Sequence, residues 1–159
     1  MRSNTVHRTG ADANLEDAIR EAMNKPTGTT TYDDLKNMTS VTEYQRGIQD
    51  LTGIEYATNL TTLYLQNNQI TDISALNSLT NLTSLWLYSN QISDISALNS
   101  LTNLTPLWLH NNQITDISAL VANAGLSSGD FVDLRSNPLS QESHRTFIPQ
   151  LEARGVVVQ

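Results

Sequence analysis

Residues 82–103, LTSLWLYSNQISDISALNSLTN, nearly repeat the segment that precedes them. Residues 60–81 read LTTLYLQNNQITDISALNSLTN, and residues 104–120, LTPLWLHNNQITDISAL, begin the same phrase a third time. Self-similarity with a period of about 20–50 residues is typical of repeat architectures, in which each repeat is one structural unit stacked on its neighbours. The repeated positions therefore predict the fold, and the positions that vary between copies point to function.

Leucine, isoleucine and asparagine recur at fixed places in each copy. In residues 82–103 they are Leu82, Leu85, Leu87, Asn90, Ile92, Ile95 and Leu98. The spacing L-x-x-L-x-L-x-x-N is that of a leucine-rich repeat. The L-x-L step alternates inward and outward positions, which predicts a short strand, and stacked copies would pair these strands in parallel. We therefore predict an α/β solenoid, a right-handed leucine-rich-repeat superhelix with a parallel concave sheet.

Polar residues at two fixed places have structural explanations. The asparagine after each strand can turn the chain and bond backbone groups that leave the sheet. The aspartate four residues later can cap a short helical turn on the convex side, and calcium binding between neighbouring carboxylates is the alternative. These columns are Asn68, Asn90 and Asn112, and Asp50, Asp72, Asp94 and Asp116.

A single repeat, here called a rung, cannot bury its apolar face alone, so both ends need caps. Residues 38–59 keep most apolar positions of the repeat, but Arg46 replaces the asparagine. The predicted division is a disordered leader or cloning remnant at 1–11, a helical N-terminal cap at 12–37, about five rungs at 38–59, 60–81, 82–103, 104–128 and 129–139, and a helical C-terminal cap at 140–159.

The two caps carry helix signals. An apolar stripe predicts a first helix, and its members are Leu15, Ala18, Ile19, Ala22 and Met23. Asn14 is the predicted N-cap of that helix, and Thr31 with Asp34 predicts a capped second helix. In the C-terminal cap we expect a helix that is interrupted near Pro149 and ends at Gly155.

Composition limits the classes of function. The chain of 159 residues has a net charge of −7 and no cysteine, which disfavours a nucleic-acid partner and excludes disulfides and thiolate metal sites. No apolar run is long enough to cross a bilayer, so we expect no membrane insertion. The first residues lack the apolar core of a secretion signal.

The phrases LEDAIREAM and DDLKNMTSVTEYQRGIQDLTGIEYATNLTTL, followed by rungs of NLTxLxLxxNQIxDIxxL, resemble the internalin-type bacterial leucine-rich-repeat proteins. The resemblance runs from about residue 12 to 120. It implies a curved solenoid that binds a partner, often a host protein, through its concave sheet. It also favours a secreted or cell-surface location in a bacterium.

The outward residues between the buried leucines should line the concave face. Stacked rungs place Tyr64, Trp86 and Trp108 in one column, with neighbours about 4.8 Å apart across the sheet. Exposed tryptophan and tyrosine are typical of binding hot spots, although cross-strand aromatic pairs also stabilise sheets. The predicted partner-binding residues are Tyr44, Tyr64, Gln66, Trp86, Tyr88, Trp108, His110, Asp133 and Arg135.

These residues favour a monomeric, non-catalytic module that binds a protein. A glycan on the same aromatic face, or a structural protein that self-assembles, are the alternatives. His110 and Asp133 could support acid–base chemistry, but no nucleophile, metal cluster or phosphate loop accompanies them. We therefore expect no catalytic residue, no metal and no cofactor. The near-identity of the rungs fits recent duplication or consensus design equally well.

Overall fold

The computed structural model describes residues 12–159, so the predicted leader at 1–11 lies outside the described residues. Short 3₁₀ helices lie at Ile54–Tyr56, Ser74–Leu76 and Ser96–Ser100, and a π-helical turn lies at Ser143–Phe147. The helices and strands are α1 (Ala13–Ala22), α2 (Tyr32–Lys36), β1 (Ser40–Thr42), β2 (Thr62–Tyr64), β3 (Ser84–Trp86), β4 (Leu107–Trp108), α3 (Ser118–Ala122), β5 (Phe131–Asp133), α4 (Ile148–Ala153) and β6 (Val157–Val158).

The strands form one parallel sheet in chain order from β1 to β6. Each residue pairs with its equivalent one rung along, so Thr42 pairs with Tyr64, Tyr64 with Trp86, and Trp86 with Trp108. Strand β4 begins at Leu107 because Pro106, which follows a cis peptide bond, has no N–H to donate. The open parallel sheet with helices at its ends confirms the predicted leucine-rich-repeat solenoid.

The repeated leucines and isoleucines form one continuous core. In the rung at 82–103, the side chains of Leu85, Leu87, Ile92 and Leu98 are fully buried, and their equivalents in the flanking rungs are buried too. Side chains of the same size therefore stack at the same depth in successive rungs. This confirms the inward half of the predicted alternation.

Asparagine amides connect successive rungs. The Asn90 side chain accepts a hydrogen bond from the Ile70 N–H (3.1 Å), and its Nδ2 donates to the carbonyls of Leu65 and Leu87, both at 3.0 Å. The equivalent amides of Asn68, Asn112 and Asn137 make the same kind of bonds. We call these four residues the asparagine ladder. Its members confirm the predicted role of this column.

The residue before each ladder position has a left-handed backbone. Ser89, which precedes Asn90, has φ of 56°. The same conformation recurs at Gln45, Asn67, Asn111 and Ser136, with φ between 56° and 58°. Non-glycine residues rarely adopt positive φ, so bonds between rungs rather than local preference hold these turns. The following asparagine amide makes those bonds in four of the turns, whereas after Gln45 the Arg46 N–H donates to the Asn68 side chain.

Asp12, not the predicted Asn14, is the N-cap of α1. Its carboxylate accepts from the N–H groups of Asn14 (2.8 Å) and Leu15 (3.2 Å), while its other oxygen accepts from the Gln49 N–H (2.6 Å). One side chain therefore caps the helix and attaches it to the first rung. The helix buries Leu15, Ala18 and Ile19 as predicted, but Ala22 is exposed and Met23 is only partly buried.

The predicted cap of α2 is confirmed. Thr31 and Asp34 form a reciprocal capping box, and the Asp34 carboxylate also accepts from Lys25 Nζ at 2.7 Å. The hydrogen bond from Lys25 and those from Thr31 lower the pKa of the Asp34 carboxyl from its ordinary value to about 2. The ionised carboxylate is thus part of the folded N-terminal cap.

The aspartate column closes local turns instead of occupying the N-cap position itself. Oδ1 of Asp72, Asp94 and Asp116 accepts from the backbone N–H two residues on, at 2.7–2.8 Å. The helical N-cap residue in each case is the following isoleucine. The carboxylates therefore stabilise the entry to each short helix, one residue earlier than a true cap.

The last full rung is lengthened by α3 and a loop that requires glycine. A Cβ on Gly125 would lie 1.8 Å from the Thr102 carbonyl oxygen, so no larger residue fits. The buried Asn123 side chain anchors the loop by donating to the carbonyls of Leu98 (2.7 Å) and Leu101 (3.1 Å). The longer connection explains why Trp108 pairs with Asp133, 25 positions later.

The C-terminal cap differs from the prediction in two ways. The helix is not broken at Pro149 but widens into the π turn at Ser143–Phe147, before α4 continues to Ala153. It ends before Gly155, which has φ of 85° as the prediction required. The chain then adds β6, which pairs in parallel with β5 and was not predicted.

We predict that Asn90→Ala lowers the free energy of unfolding by roughly 2–4 kcal/mol, because it leaves the buried Ile70 N–H without its acceptor and removes one of the two amide donors of the Leu65 and Leu87 carbonyls. Urea unfolding measures the change. Asn99→Ala, on an exposed asparagine of the same rung, is the matched control and should stay within about 0.5 kcal/mol of the wild type. Equal losses in both variants would contradict a structural role for the ladder.

We predict that Asp34→Asn lowers stability at pH 7 by about 1 kcal/mol, because the amide cannot pair with Lys25. Since folding lowers the pKa of Asp34 to about 2, its contribution is present above pH of about 4 and is lost as pH falls through about 2. Urea unfolding at several pH values should show the two proteins converging in acid. Asp17→Asn, an exposed carboxylate on α1, serves as control, and a constant gap for Asp34→Asn would contradict the prediction.

Candidate functional site

Three consecutive strands bring aromatic side chains together on the concave face. Tyr64 on β2, Trp86 on β3 and Trp108 on β4 are paired neighbours in the sheet, and all three are partly exposed. Their positions follow directly from the register, because the leucines on either side of each ring point into the core. The structure therefore brings together the predicted aromatic column.

The rings of this column contact one another in two different geometries. Tyr64 stacks on Trp86 with ring centroids 4.2 Å apart and planes 20° apart. Trp86 and Trp108 meet edge to face, with centroids 6.2 Å apart and planes at 65°. The Ser84 hydroxyl lies 3.1 Å from the Tyr64 hydroxyl and donates to it. Tyr64 therefore fixes one indole, while the gap between the two indoles stays more open.

A second pair of rings extends the column sideways. Tyr88 and His110 stack with centroids 4.4 Å apart and planes 9° apart, and both rings also contact the indole of their own strand. Phe131 packs against Trp108 at 5.0 Å on the other side. We call the six residues the aromatic cluster: Tyr64, Trp86, Tyr88, Trp108, His110 and Phe131. Phe131 was missing from the predicted set, although its outward position on β5 was a sufficient signal.

Four rings of the cluster surround a shallow pocket of about 300 Å³. Trp86 and Tyr88 line it from one rung, and Trp108 and His110 line it from the next rung. We call it the aromatic pocket. Its walls are ring faces and edges with one imidazole, so it suits an apolar, planar or cationic group better than an anion.

Two predicted contact residues are less accessible than the alternation implied. Asp133 is completely buried and Gln66 is 9% exposed, because neighbouring side chains cover both positions. Tyr44, by contrast, is 61% exposed, and among the described ring contacts it makes none with the aromatic cluster. The predicted set is therefore not one uniform exposed surface. Asp133 and Gln66 lie beneath it, and Tyr44 lies at its N-terminal margin.

The buried Asp133 carboxylate organises one end of the cluster. It accepts from Arg135 Nε at 2.9 Å and from Arg135 Nη2 at 2.6 Å, and the Arg135 guanidinium is itself largely exposed. His110 Nδ1 lies 3.0 Å from Asp133 Oδ2, but the alignment does not meet hydrogen-bond geometry. The contact between ring and carboxylate is therefore electrostatic, and Arg135 is the directed partner.

Opposing effects act on the pKa of the Asp133 carboxyl. Burial alone would raise the pKa, but the hydrogen bonds from the side chain and backbone of Arg135, with smaller attractions from His110 and the Arg135 charge, hold it below the ordinary value. Asp133 is therefore ionised at neutral pH and gives a fixed negative charge beneath His110 and Trp108.

Covered polar atoms gather around the same cluster. Within the described part of the chain, the buried side-chain atoms without a hydrogen-bond partner are Gln66 Oε1, Trp86 Nε1, Trp108 Nε1 and His110 Nδ1. Buried polar groups normally find partners, and one left unpaired costs about 1–3 kcal/mol. All four lie on the concave face, so the cost of these unpaired polar atoms falls on that face.

Metal-ligating clusters and membrane-spanning helices are both absent from the described residues. Residues 12–159 contain no group of three or more His, Cys, Asp or Glu side chains placed to hold a metal ion. None of the helices in this range combines the length and the apolar character that a membrane span requires. What the site does provide is a partly exposed aromatic surface with one buried charge.

Comparison with known proteins agrees with the repeats and their geometry. A family model described as leucine-rich repeats in two copies matches residues 58–100 and 80–122. An internalin (inlF) of Listeria monocytogenes has a solved structure that superposes with a TM-score of 0.73 at 33% sequence identity, over 88% of this chain and 47% of that chain. The chain is an internalin-type leucine-rich-repeat protein. It spans about half the length of this internalin.

A second solved structure shares the fold at greater sequence distance. A leucine-rich-repeat protein of Leptospira interrogans superposes with a TM-score of 0.61 at 20% identity, over 79% of this chain and 38% of that chain. Among curated protein sequences, none matches significantly. Neighbours from these two organisms suggest a bacterial origin. Leucine-rich-repeat solenoids bind through their extended concave surfaces, so this internalin-type fold is consistent with a protein-interaction module.

We predict that Arg135→Ala costs about 1–3 kcal/mol, because it leaves the buried Asp133 carboxylate without its directed partner. The pKa of Asp133 should rise, since burial is no longer offset by those hydrogen bonds. The variant therefore regains stability relative to the wild type as pH falls, and adding Asp133→Asn should restore part of the loss at pH 7.

Urea unfolding at pH 7 and in mild acid, with a carboxyl NMR titration of Asp133, checks this prediction. Arg145→Ala is the matched control, because Arg145 is exposed in the C-terminal cap. An additive double variant, in which Asp133→Asn deepens the loss at pH 7, would contradict the assigned pairing.

Proposed function

We propose that this internalin-type chain is a non-catalytic interaction module that binds a protein partner through the aromatic cluster on its concave face. The observation that carries the proposal is the continuity of the cluster. Six rings from four consecutive rungs contact one another and remain partly exposed. A stable scaffold does not need such a surface, because the leucine core and the asparagine ladder already hold the rungs.

The chemistry of the cluster supports a protein partner. Tryptophan, tyrosine and arginine dominate the energetics of protein interfaces, and such residues act best when clustered and ringed by less critical contacts. Both tryptophans of the chain lie in the cluster. Arg135 and Tyr44 are the exposed predicted residues at its margins, where they would form the rim of an interface.

The buried members of the predicted site would act indirectly. Asp133 holds Arg135 through two hydrogen bonds and lies 3.0 Å from the His110 ring, so it positions both side chains without meeting a partner. Gln66, which is equivalent to Tyr88 in the preceding rung, is nearly covered. In this proposal both are positioning residues, and the contact surface consists of the rings and Arg135.

Ring contacts also stabilise the sheet, and this role coexists with binding. The Tyr64–Trp86 stack and the Trp86–Trp108 pair should each contribute roughly 0.2–1 kcal/mol. Truncating a hot-spot residue typically costs about 2 kcal/mol or more of binding energy. The stabilisation of the sheet by each ring pair is small compared with that loss. The two roles can therefore be separated by measuring folding and binding in the same variants.

The test is affinity capture followed by a measured dissociation constant. The immobilised full chain and its Trp86→Ala/Trp108→Ala double variant are exposed to the same protein extract, and the captured protein is then purified and titrated. We expect binding to weaken at least about thirtyfold in the double variant, with circular dichroism close to the wild type.

A matched aromatic control lies outside the concave face. Tyr32 and Tyr56 make an edge-to-face pair at 4.7 Å between α2 and the first 3₁₀ helix. The Tyr32→Ala/Tyr56→Ala variant removes a comparable aromatic pair and should bind as the wild type does. Equal binding by both double variants would overturn the proposal, and loss of fold only in the tryptophan variant would assign the cluster to stability. Capture of glycans, or concentration-dependent self-association lost in the tryptophan variant, would favour the other two functions.

A further inference from the structure

The aromatic pocket is an open depression, although each of the four rings that line it contacts its neighbours. Trp86 and Tyr88 are tilted by 42°, and Trp108 and His110 stand at 77° to each other, so the Tyr88–His110 stack does not lie flat against the two indoles. The depression between them measures about 300 Å³ and is open to solvent. This is space for one extended side chain or one small ring.

Ring faces carry a negative electrostatic potential and therefore attract cations. A lysine ammonium or arginine guanidinium within about 6 Å of an indole or phenol face is stabilised, more so when it is partly desolvated. Arginine also stacks its flat guanidinium on aromatic planes. The walls of the pocket are thus chemically suited to a basic side chain.

The stretch of chain that includes the pocket carries charge of the complementary sign. From Gly47 to Leu134 the sequence has no lysine or arginine, so its charged residues are all carboxylates. These are Asp50, Glu55, Asp72, Asp94, Asp116, Asp130 and Asp133. The chain as a whole carries a net charge of −7. Such a field attracts cationic segments and repels acidic ones.

One cation of the protein lies near the pocket, and its charge is neutralised. The Arg135 guanidinium is held by two hydrogen bonds to the Asp133 carboxylate, at 2.9 and 2.6 Å. His110 stacks on Tyr88, and its Nδ1 lies 3.0 Å from the Asp133 carboxylate. Both basic side chains beside the pocket therefore lie against the same negative charge.

We propose that the aromatic pocket receives an arginine or lysine side chain from a basic segment of the protein partner. The proposal rests on the proposed function only in that the ligand is a protein segment. It commits to a cation because aromatic rings line the pocket, because the charged residues from Gly47 to Leu134 are all acidic, and because the neighbouring Arg135 is paired with Asp133. The aliphatic stem of the same side chain would lie along Trp86 and Trp108.

The test compares two peptides that differ in charge but hardly in shape. The first is Ac-Gly-Gly-Arg-Gly-Gly-NH2, and the second has citrulline in place of arginine. Because the chain has two tryptophans and both line the pocket, their two indole N–H signals in a ¹⁵N NMR spectrum report on this site alone. Titrating the full chain with each peptide gives the two dissociation constants.

We expect the arginine peptide to shift both indole signals and to bind roughly three- to thirtyfold more tightly than the citrulline peptide. The preference should shrink as salt is raised, since part of it comes from the field of the rungs. Equal binding of the two peptides, or tighter binding of a glutamate peptide or a neutral trisaccharide, would overturn the proposal.

Two variants with the same change in net charge test where the charge acts. His110→Lys places a fixed cation in the pocket wall and should abolish the arginine preference. Gln113→Lys adds the same charge at an exposed position in the turn of the same rung and should largely retain it. Equal effects of the two substitutions would show that the pocket itself does not select the cation. If the peptides fail to discriminate while the double tryptophan variant still loses its captured protein, this inference falls and the proposed function stands.

Discussion

The amide of each ladder asparagine is the interaction on which the rest of the structure depends. Asn90 bonds its own rung through the Leu87 carbonyl and the preceding rung through Ile70 and Leu65. One side chain thereby closes a turn and fixes the position of its neighbour. A slip of one residue would turn every leucine of a strand out of the core, so the amide bonds and the buried leucines demand the same register. That register places Tyr64, Trp86 and Trp108 side by side.

Because the ladder asparagines and the buried leucines set the register, the outward positions are free to vary. Residues in the ladder and the core are constrained from both sides by equivalent residues in neighbouring rungs, whereas an outward ring is constrained only by its neighbours on the surface. The covered polar atoms collect there for the same reason. Trp86 Nε1 and Trp108 Nε1 lack partners without disturbing the ladder beneath them. Proteins commonly tolerate such local inconsistencies at functional sites, where binding rather than stability has set the side chains.

Periodicity was sufficient to predict the solenoid, the parallel sheet and the aromatic column, because all three depend on spacing alone. It could not predict how deeply each outward side chain is buried. Alternation assigns Asp133 to the concave side, but its burial depends on the rings and the guanidinium that lie over it. The predicted cap of α1 was wrong for a different reason, because Asp12 caps the helix through the N–H groups of Asn14 and Leu15, which are local. What periodicity could not show is that the same carboxylate bonds to Gln49, 37 positions away. The valines of β6 follow a helix-ending glycine, where a local pattern of two residues is too short to predict pairing with β5.

In the proposed mode of binding, the ring geometry determines which members of the cluster can contact a partner. Tyr64 covers one face of Trp86 at 4.2 Å, and Phe131 packs on Trp108 at 5.0 Å. Part of the surface of these two outer rings is therefore in contact with the indoles. In return they hold the two indoles in place, which lowers the entropy lost when a partner binds. The surface that remains for a partner is the space between the indoles and the Tyr88–His110 stack. The outer rings therefore organise the site, and the inner four define what it can accept.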